Sequence, residues 1–197
     1  MVTLALETST PRGGVALLRD AEIIFTETFT ADRSHSSELF AVIEQALDRA
    51  EPPGRIVVGL GPGSYAGVRI AIAAAIGISL PGGAELLGVP SIAALAEGGY
   101  LAIGDARRGG YWIAEIRDGD LAAAPAIVTR EEIEARIGSA TVPVFSSEAL
   151  GLPGVELRFP AVDRLARLAV ENQCIWARGV LEPIYLRDPH ITLPRSP

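Results

Sequence analysis

Residues 56–70 read Ile56-Val57-Val58-Gly59-Leu60-Gly61-Pro62-Gly63-Ser64-Tyr65-Ala66-Gly67-Val68-Arg69-Ile70. A short apolar run ends in a Gly-Pro-Gly-Ser turn and passes into a long run of small and apolar residues. This pattern predicts a buried strand, a tight loop and a helix N-terminus. Ser64 suits the N-cap, because its side-chain oxygen can take a free backbone N–H of the first turn. A loop of this kind, at the positive end of a helix dipole, is suited to an anion such as phosphate. The Gly-Lys-Ser/Thr ending of a P-loop is missing, so the stretch supplies only half of a nucleotide site.

Working outward toward the N-terminus, Val2–Leu6, Val15–Leu18 and Ile23–Phe29 read as three strands joined by short turns, an antiparallel meander. Asp32 or Ser34 then caps a helix reaching about Ala50, with Leu39, Val42, Ile43, Ala46 and Leu47 at helical spacing. Toward the C-terminus, the strand Arg55–Leu60 and the helix Ser64–Leu80 are followed by a strand over Glu85–Val89 and a short helix over Ser91–Glu97. After Gly98-Gly99 the theme restarts, with strands at Tyr100–Gly104 and Tyr111–Ile116 around the turn Asp105–Gly110. Helices are expected over Thr129–Ile137 and Val162–Arg178, and a strand over Ala140–Phe145. The fold class is α/β: two subdomains, each opening with an antiparallel hairpin or meander and continuing with helix–strand crossovers that favour parallel pairing. The expected divisions are residues 1–98, a reduced second unit at 99–180, and a Pro-rich tail at 181–197 that packs back on the body.

Composition narrows the function. The 197 residues are 49% hydrophobic and 21% charged, ordinary for a globular chain able to bury a sizeable core. The longest apolar run, Ile70–Leu80, falls short of the ~20 residues needed to span a bilayer. The apolar start, Val2–Leu6, is too short for a secretory leader. With Cys174 as the single cysteine, a cytoplasmic location is expected. The net charge is −7 without a basic block, which argues against autonomous binding to a nucleic-acid backbone. All 17 basic residues are arginine, so lysine-dependent chemistry is excluded: P-loop lysines, Schiff bases and lysine general bases.

The helix after Ser64 is apolar on all sides. Such a helix is either buried all round or contributes to an interface. The interface reading places Leu39, Val42, Ile43 and Leu47 of the first helix with Val68, Ala71, Ile72, Ala75 and Ile76 of the second at a contact with another subunit. Full enclosure by the first helix and the second subdomain is the competing reading.

Chemistry-bearing groups are sparse. Glu7, Thr8, Ser9 and Thr10 place a carboxylate and three hydroxyls where the first strand enters its turn, and Asp105 holds the equivalent place in the second hairpin. With Gly61, Gly63 and Ser64 they could border a phosphate site. They also suit an acidic strand end whose hydroxyls bond local backbone. His35 starts the first helix, but the position four residues on, where a metal pair needs a second ligand, is Leu39. His190 lies far off in the tail. No metal site, serine-nucleophile elbow or Cys–His pair emerges, and no catalytic residue is assigned.

The residues that carry a family resemblance are Leu4-Ala5-Leu6-Glu7-Thr8-Ser9-Thr10, Arg33-Ser34-His35-Ser36, Gly61–Ile70, Asp105-Ala106-Arg107-Arg108-Gly109 and Tyr185-Leu186-Arg187. They resemble the TsaB (YeaZ) family of bacterial tRNA threonylcarbamoyladenosine biosynthesis proteins, strongly over residues 1–112 and weakly across 118–180. The resemblance implies an actin-like ATPase fold of two ribonuclease-H-like subdomains. It also implies a non-catalytic scaffold or activator of the complex that modifies the adenosine beside the anticodon. The partners implied are the homologous catalytic subunit (TsaD family) and a small P-loop ATPase (TsaE family), with self-association when alone and tRNA met only through the complex. ATP or ADP at the subunit interface is the only cofactor implied, and Glu7, Thr8, Ser9, Gly61, Gly63, Ser64 and Asp105 would be a vestigial phosphate site. The catalytic relative carries a His-x-x-x-His pair on its first helix, where this chain has His35 and Leu39. Gly110 stands where the family usually has Glu, and Ala71 where it usually has Gly. The alternative function is an independent actin-fold phosphotransferase or metallopeptidase.

Overall fold

The computed structural model describes residues 1–30 and 35–186. Asp32, Arg33, Ser34, Arg187 and His190 therefore lie outside the described residues, as does most of the Pro-rich tail. The chain begins with β1 (Val2–Glu7), β2 (Arg12–Arg19) and β3 (Glu22–Thr30), the expected meander. Then come α1 (His35–Leu47), β4 (Arg55–Gly59), α2 (Tyr65–Ser79) and β5 (Glu85–Val89). A single 3-10 turn, Ser91–Ala94, stands where a short helix to Glu97 was expected. The second half holds β6 (Tyr100–Asp105), β7 (Tyr111–Arg117), β8 (Asp120–Leu121), β9 (Ala126–Val128), α3 (Arg130–Gly138), β10 (Val144–Ser146), β11 (Glu156–Leu157), α4 (Val162–Val170) and β12 (Ala177–Arg178).

The first sheet has the order β12-β5-β4-β1-β2-β3. At its centre, β1 pairs antiparallel with β2 and parallel with β4. The second sheet, β11-β10-β6-β7-β8, repeats this plan, because β6 pairs antiparallel with β7 and parallel with β10. Two units with one strand order, each a meander followed by crossovers, make the actin-like, ribonuclease-H-like fold, and the second copy has the shorter strands.

Both faces of the first sheet are covered, which is why β1 is buried along its whole length. Strand periodicity sends Leu4, Leu6, Val15, Leu17, Ile56 and Val58 to one face, where Leu39, Val42, Ile43, Val68 and Ala71 of α1 and α2 cover them. Ala5, Ala16, Leu18, Val57 and Leu87 face the other way, toward Val162, Leu165, Ala166 and Ala169 of α4. The second half of the chain thus supplies one cover of the first sheet.

The helix expected over Val162–Arg178 stops at Val170. Asn172 and Cys174 adopt left-handed backbone with φ of 59° and 51°, which a helix cannot continue. The chain then turns back to lay β12 antiparallel against β5 at the edge of the first sheet. Beyond it, Leu181 is buried in the first core and the Ile184 amide donates to the Leu60 carbonyl at 2.9 Å. Leu186 packs against the cluster of Tyr100, Trp112 and Phe145 in the second unit. The start of the tail packs back on the body as expected.

Candidate functional site

The groups singled out around Glu7 do converge. β1 delivers Glu7 to the point where β4 ends and the Gly61–Ser64 loop begins. Glu7 is fully buried, and its Oε1 accepts the Ser9 amide at 2.6 Å. Its Oε2 lies against Gly59, where an added Cβ would stand 1.9 Å away, and has no hydrogen-bond partner among the described residues. Burial pushes the carboxyl above its ordinary 4.5, and the neighbouring Ser9 and Ser91 groups offset only part of that penalty. The carboxyl is therefore set to hold a proton more tightly than a solvated glutamate does.

The loop is clasped onto this segment by backbone contacts. The Ser64 amide donates to the Ser9 carbonyl at 2.7 Å, and the Thr8 hydroxyl donates to the Gly67 carbonyl at 2.8 Å. Gly63 and Gly67 are needed for this approach, since Cβ atoms there would lie 2.2 Å from the Ser9 carbonyl oxygen and 2.0 Å from that of Thr8. Ser64 caps α2 as expected, accepting the Gly67 amide at 3.2 Å. Gly61 exchanges two bonds with Ser91: its amide donates to the Ser91 hydroxyl at 3.0 Å, and its carbonyl accepts the Ser91 amide at 2.9 Å. The amides of Gly61, Ser64 and Gly67, which an anion would need, already have protein acceptors. What the sequence suggests as a phosphate loop is built here as a junction of β1, β4, α2 and the Ser91 turn.

Ser91 was missed in the sequence. Its only signal is its place, directly after Pro90 at the end of the third parallel strand. Asp105 sits at the equivalent corner of the second sheet, but its carboxylate serves its own turn. It accepts the Arg107 amide at 2.7 Å and pairs with the Arg107 guanidinium at 3.3 Å. The Asp105 amide donates to Glu148 at 3.3 Å. Two open clefts lie away from the Glu7 junction. One of about 300 Å³ borders Arg108–Gly110, Thr129 and Glu132, and one of about 430 Å³ borders Asn172 and Ile175–Arg178. Among the described residues, no group of three or more His, Cys, Asp or Glu is placed to hold a metal ion.

The residues expected at a subunit contact are placed differently from that expectation. Leu39, Val42, Ile43, Val68, Ala71, Ile72 and Ala75 are buried in the chain's own core, and Leu47 is half-buried against it. Only Ile76 is exposed, at 45%. Full enclosure of α2 is not found: one face is enclosed by β1, β4, β5 and α1, while the other meets solvent. The solvent face carries Tyr65, Ala66, Arg69, Ala73, Ile76 and Gly77, ending at Leu80, which is 77% exposed. The spacing of three and four residues makes these one stripe. Phe40 of α1 is also exposed.

A family model described as "TsaD: tRNA N6-adenosine threonylcarbamoyltransferase" matches residues 27–119. A protein of Mycobacterium tuberculosis, named only as uncharacterized, is 31% identical over 199 residues, spanning 94% of this chain and 92% of its own. The tRNA threonylcarbamoyladenosine biosynthesis protein TsaB of Escherichia coli is 30% identical over 131 residues, 60% of this chain and 56% of the relative. A crystal structure from Pseudomonas aeruginosa, described as similar to the peptidase YEAZ, superposes with a TM-score of 0.76 at 25% identity. That match covers 94% of this chain and 99% of the other. The chain belongs to the TsaB/YeaZ family. The Pseudomonas aeruginosa structure thus shares this architecture over nearly the whole chain, and the matched family model spans both α1 and α2.

Proposed function

We propose that this chain is a non-catalytic scaffold or activator subunit in the formation of threonylcarbamoyladenosine in tRNA. In this reading it pairs with the homologous catalytic subunit of the TsaD family, and a small P-loop ATPase of the TsaE family joins the assembly. tRNA is met through the assembly, and a second copy occupies the same face when the partner is missing. The Glu7–Ser64 junction is a relic of a phosphate site that now holds the fold together, and Asp105 is its counterpart in the second unit.

The observation that carries this reading is α2, which has core on one side and a solvent-exposed stripe of Ala73, Ile76, Gly77 and Leu80 on the other. An exposed apolar helix face is the kind of surface a partner protein covers. The test is copurification with the TsaD-family protein of the same genome. Ile76→Glu puts a charge on the exposed face without entering the core, whereas charge at Ile72 or Ala75 would disrupt the core. Ile76→Glu is expected to lose the partner, and cells carrying it are expected to lose the modified adenosine by nucleoside mass spectrometry. Wild-type copurification together with wild-type modification overturns the reading.

A further inference from the structure

Arg69 stands within the exposed stripe of α2, between Ala66 and Ala73. Its Nη1 donates to the Tyr65 hydroxyl at 2.9 Å, and its Cζ lies 5.2 Å from the Tyr65 ring centroid. The Tyr185 side chain also lies within electrostatic reach of the guanidinium. The two tyrosine rings lie 5.8 Å apart, tilted by 41°, and both are exposed, at 54% and 44%. Tyr185 belongs to the returning C-terminal segment, and its neighbours fix it: Ile184 bonds Leu60, and Leu186 packs in the second unit. Among the described residues no carboxylate pairs with Arg69, although Arg19, Arg55, Arg117 and Arg178 each have one. The Tyr65 hydroxyl orients the guanidinium through a hydrogen bond and leaves its other N–H donors to a further acceptor.

A cation held by the ring and hydroxyl of Tyr65, itself packed on Tyr185, with the apolar stripe around it, differs from a mobile surface arginine. Its side-chain entropy is already spent, and flanking apolar contacts would exclude water from an ion pair formed there. The planar fork of a guanidinium matches a carboxylate. One cation on a chain of net charge −7 does not match the row of phosphates that a nucleic acid presents. The apolar neighbours favour a protein surface.

We infer that Tyr65, Arg69 and Tyr185 form a preorganised anchor on the partner face, and that its occupant is a carboxylate on the surface of a docking protein. The inference rests on the partner reading above and adds the chemistry by which that partner is gripped. It also gives the C-terminal segment a part in the contact, because Tyr185 comes from it.

The test is calorimetric titration of the purified chain with the TsaD-family subunit at low and high salt. Arg69→Gln is expected to weaken binding by about tenfold and to flatten its salt dependence. Arg69→Lys keeps the charge but loses the fork, and falls between wild type and Arg69→Gln. If Arg69→Gln binds as wild type with the same salt dependence while Ile76→Glu does not bind, the anchor is overturned and the partner reading stands. If neither variant changes binding, the partner reading itself fails. Arg69→Gln that changes only sedimentation of the chain alone would identify a second copy as the occupant. Arg69→Gln that changes only tRNA retention on a filter would identify a phosphate. Either result overturns the inference.

Discussion

Replacing Glu7 by Gln isolates the proton held at the buried junction. The carboxyl is fully buried, one oxygen accepts the Ser9 amide at 2.6 Å, and the other has no hydrogen-bond partner among the described residues. Burial raises its folded pKa above the ordinary 4.5. The folded chain therefore keeps this proton over a pH interval in which the unfolded chain has released it. The contribution of the neutral carboxyl is complete below the unfolded pKa and is lost as pH rises through the folded one. One retained proton gives a slope of about 1.4 kcal/mol per pH unit between those two values. Gln keeps a carbonyl oxygen for the Ser9 amide and cannot ionise. Urea unfolding of wild type and Glu7→Gln, followed by circular dichroism from acid to mildly alkaline pH, reads the difference directly. The unfolding free energy of the variant relative to wild type should be flat below the ordinary carboxyl range. It should then climb at that slope, and level off above the folded pKa. Exposed Asp20, Glu51 and Glu115, held low by the N-terminal amine, Arg19 and Arg117, act on the acid side and cancel in the comparison. Parallel curves throughout would refute the claim that burial governs this carboxyl.

Four further outcomes follow from the geometry. Gly67→Ala gains up to about 1 kcal/mol of helix propensity, but its Cβ would lie 2.0 Å from the Thr8 carbonyl oxygen. The clash costs about 1–3 kcal/mol, so a calorimetric melt should show net destabilisation. Leu39→Ala opens a cavity under α1 and should cost about 2–5 kcal/mol in denaturant titration. Phe40→Ala, next in sequence but 51% exposed, should stay within about 0.5 kcal/mol of wild type. Burial pushes the Cys174 thiol up, so its alkylation at neutral pH should be slow and should accelerate sharply on adding denaturant.

Much of the fold was legible because punctuation and period agreed. Glu51-Pro52-Pro53-Gly54 and Gly98-Gly99 separate segments whose apolar spacing fits the elements between them, whereas Arg12, Gly13 and Gly14 belong to β2 itself. The helix over Val162–Arg178 was misread because apolar residues continue through Ile175 and Trp176. The stop is conformational, in the left-handed backbone of Asn172 and Cys174, two residues that carry no strong breaker signal. The uniform apolarity of α2 showed that it had to be covered, but it could not show which face its own core takes. Ala71 and Ala73 are the same residue type, and only the register against β4 separates them. At the Glu7 junction, the convergence was legible from the strand ends. The consumption of the loop amides was not, because it depends on Ser9 and Ser91 arriving from segments far apart in sequence.

The cover that α4, β12 and residues 181–186 give to the first sheet has a consequence for biosynthesis. A nascent chain that has emerged only as far as Gly99 carries β1, β2, β4, β5 and the Ala93–Ala94 turn, but not Val162, Leu165, Ala166 and Ala169, which complete the cover over Ala5, Ala16, Leu18, Val57 and Leu87. Much of that greasy surface stays uncovered on the ribosome until α4 is made, so the half translated first is completed by the half that follows it.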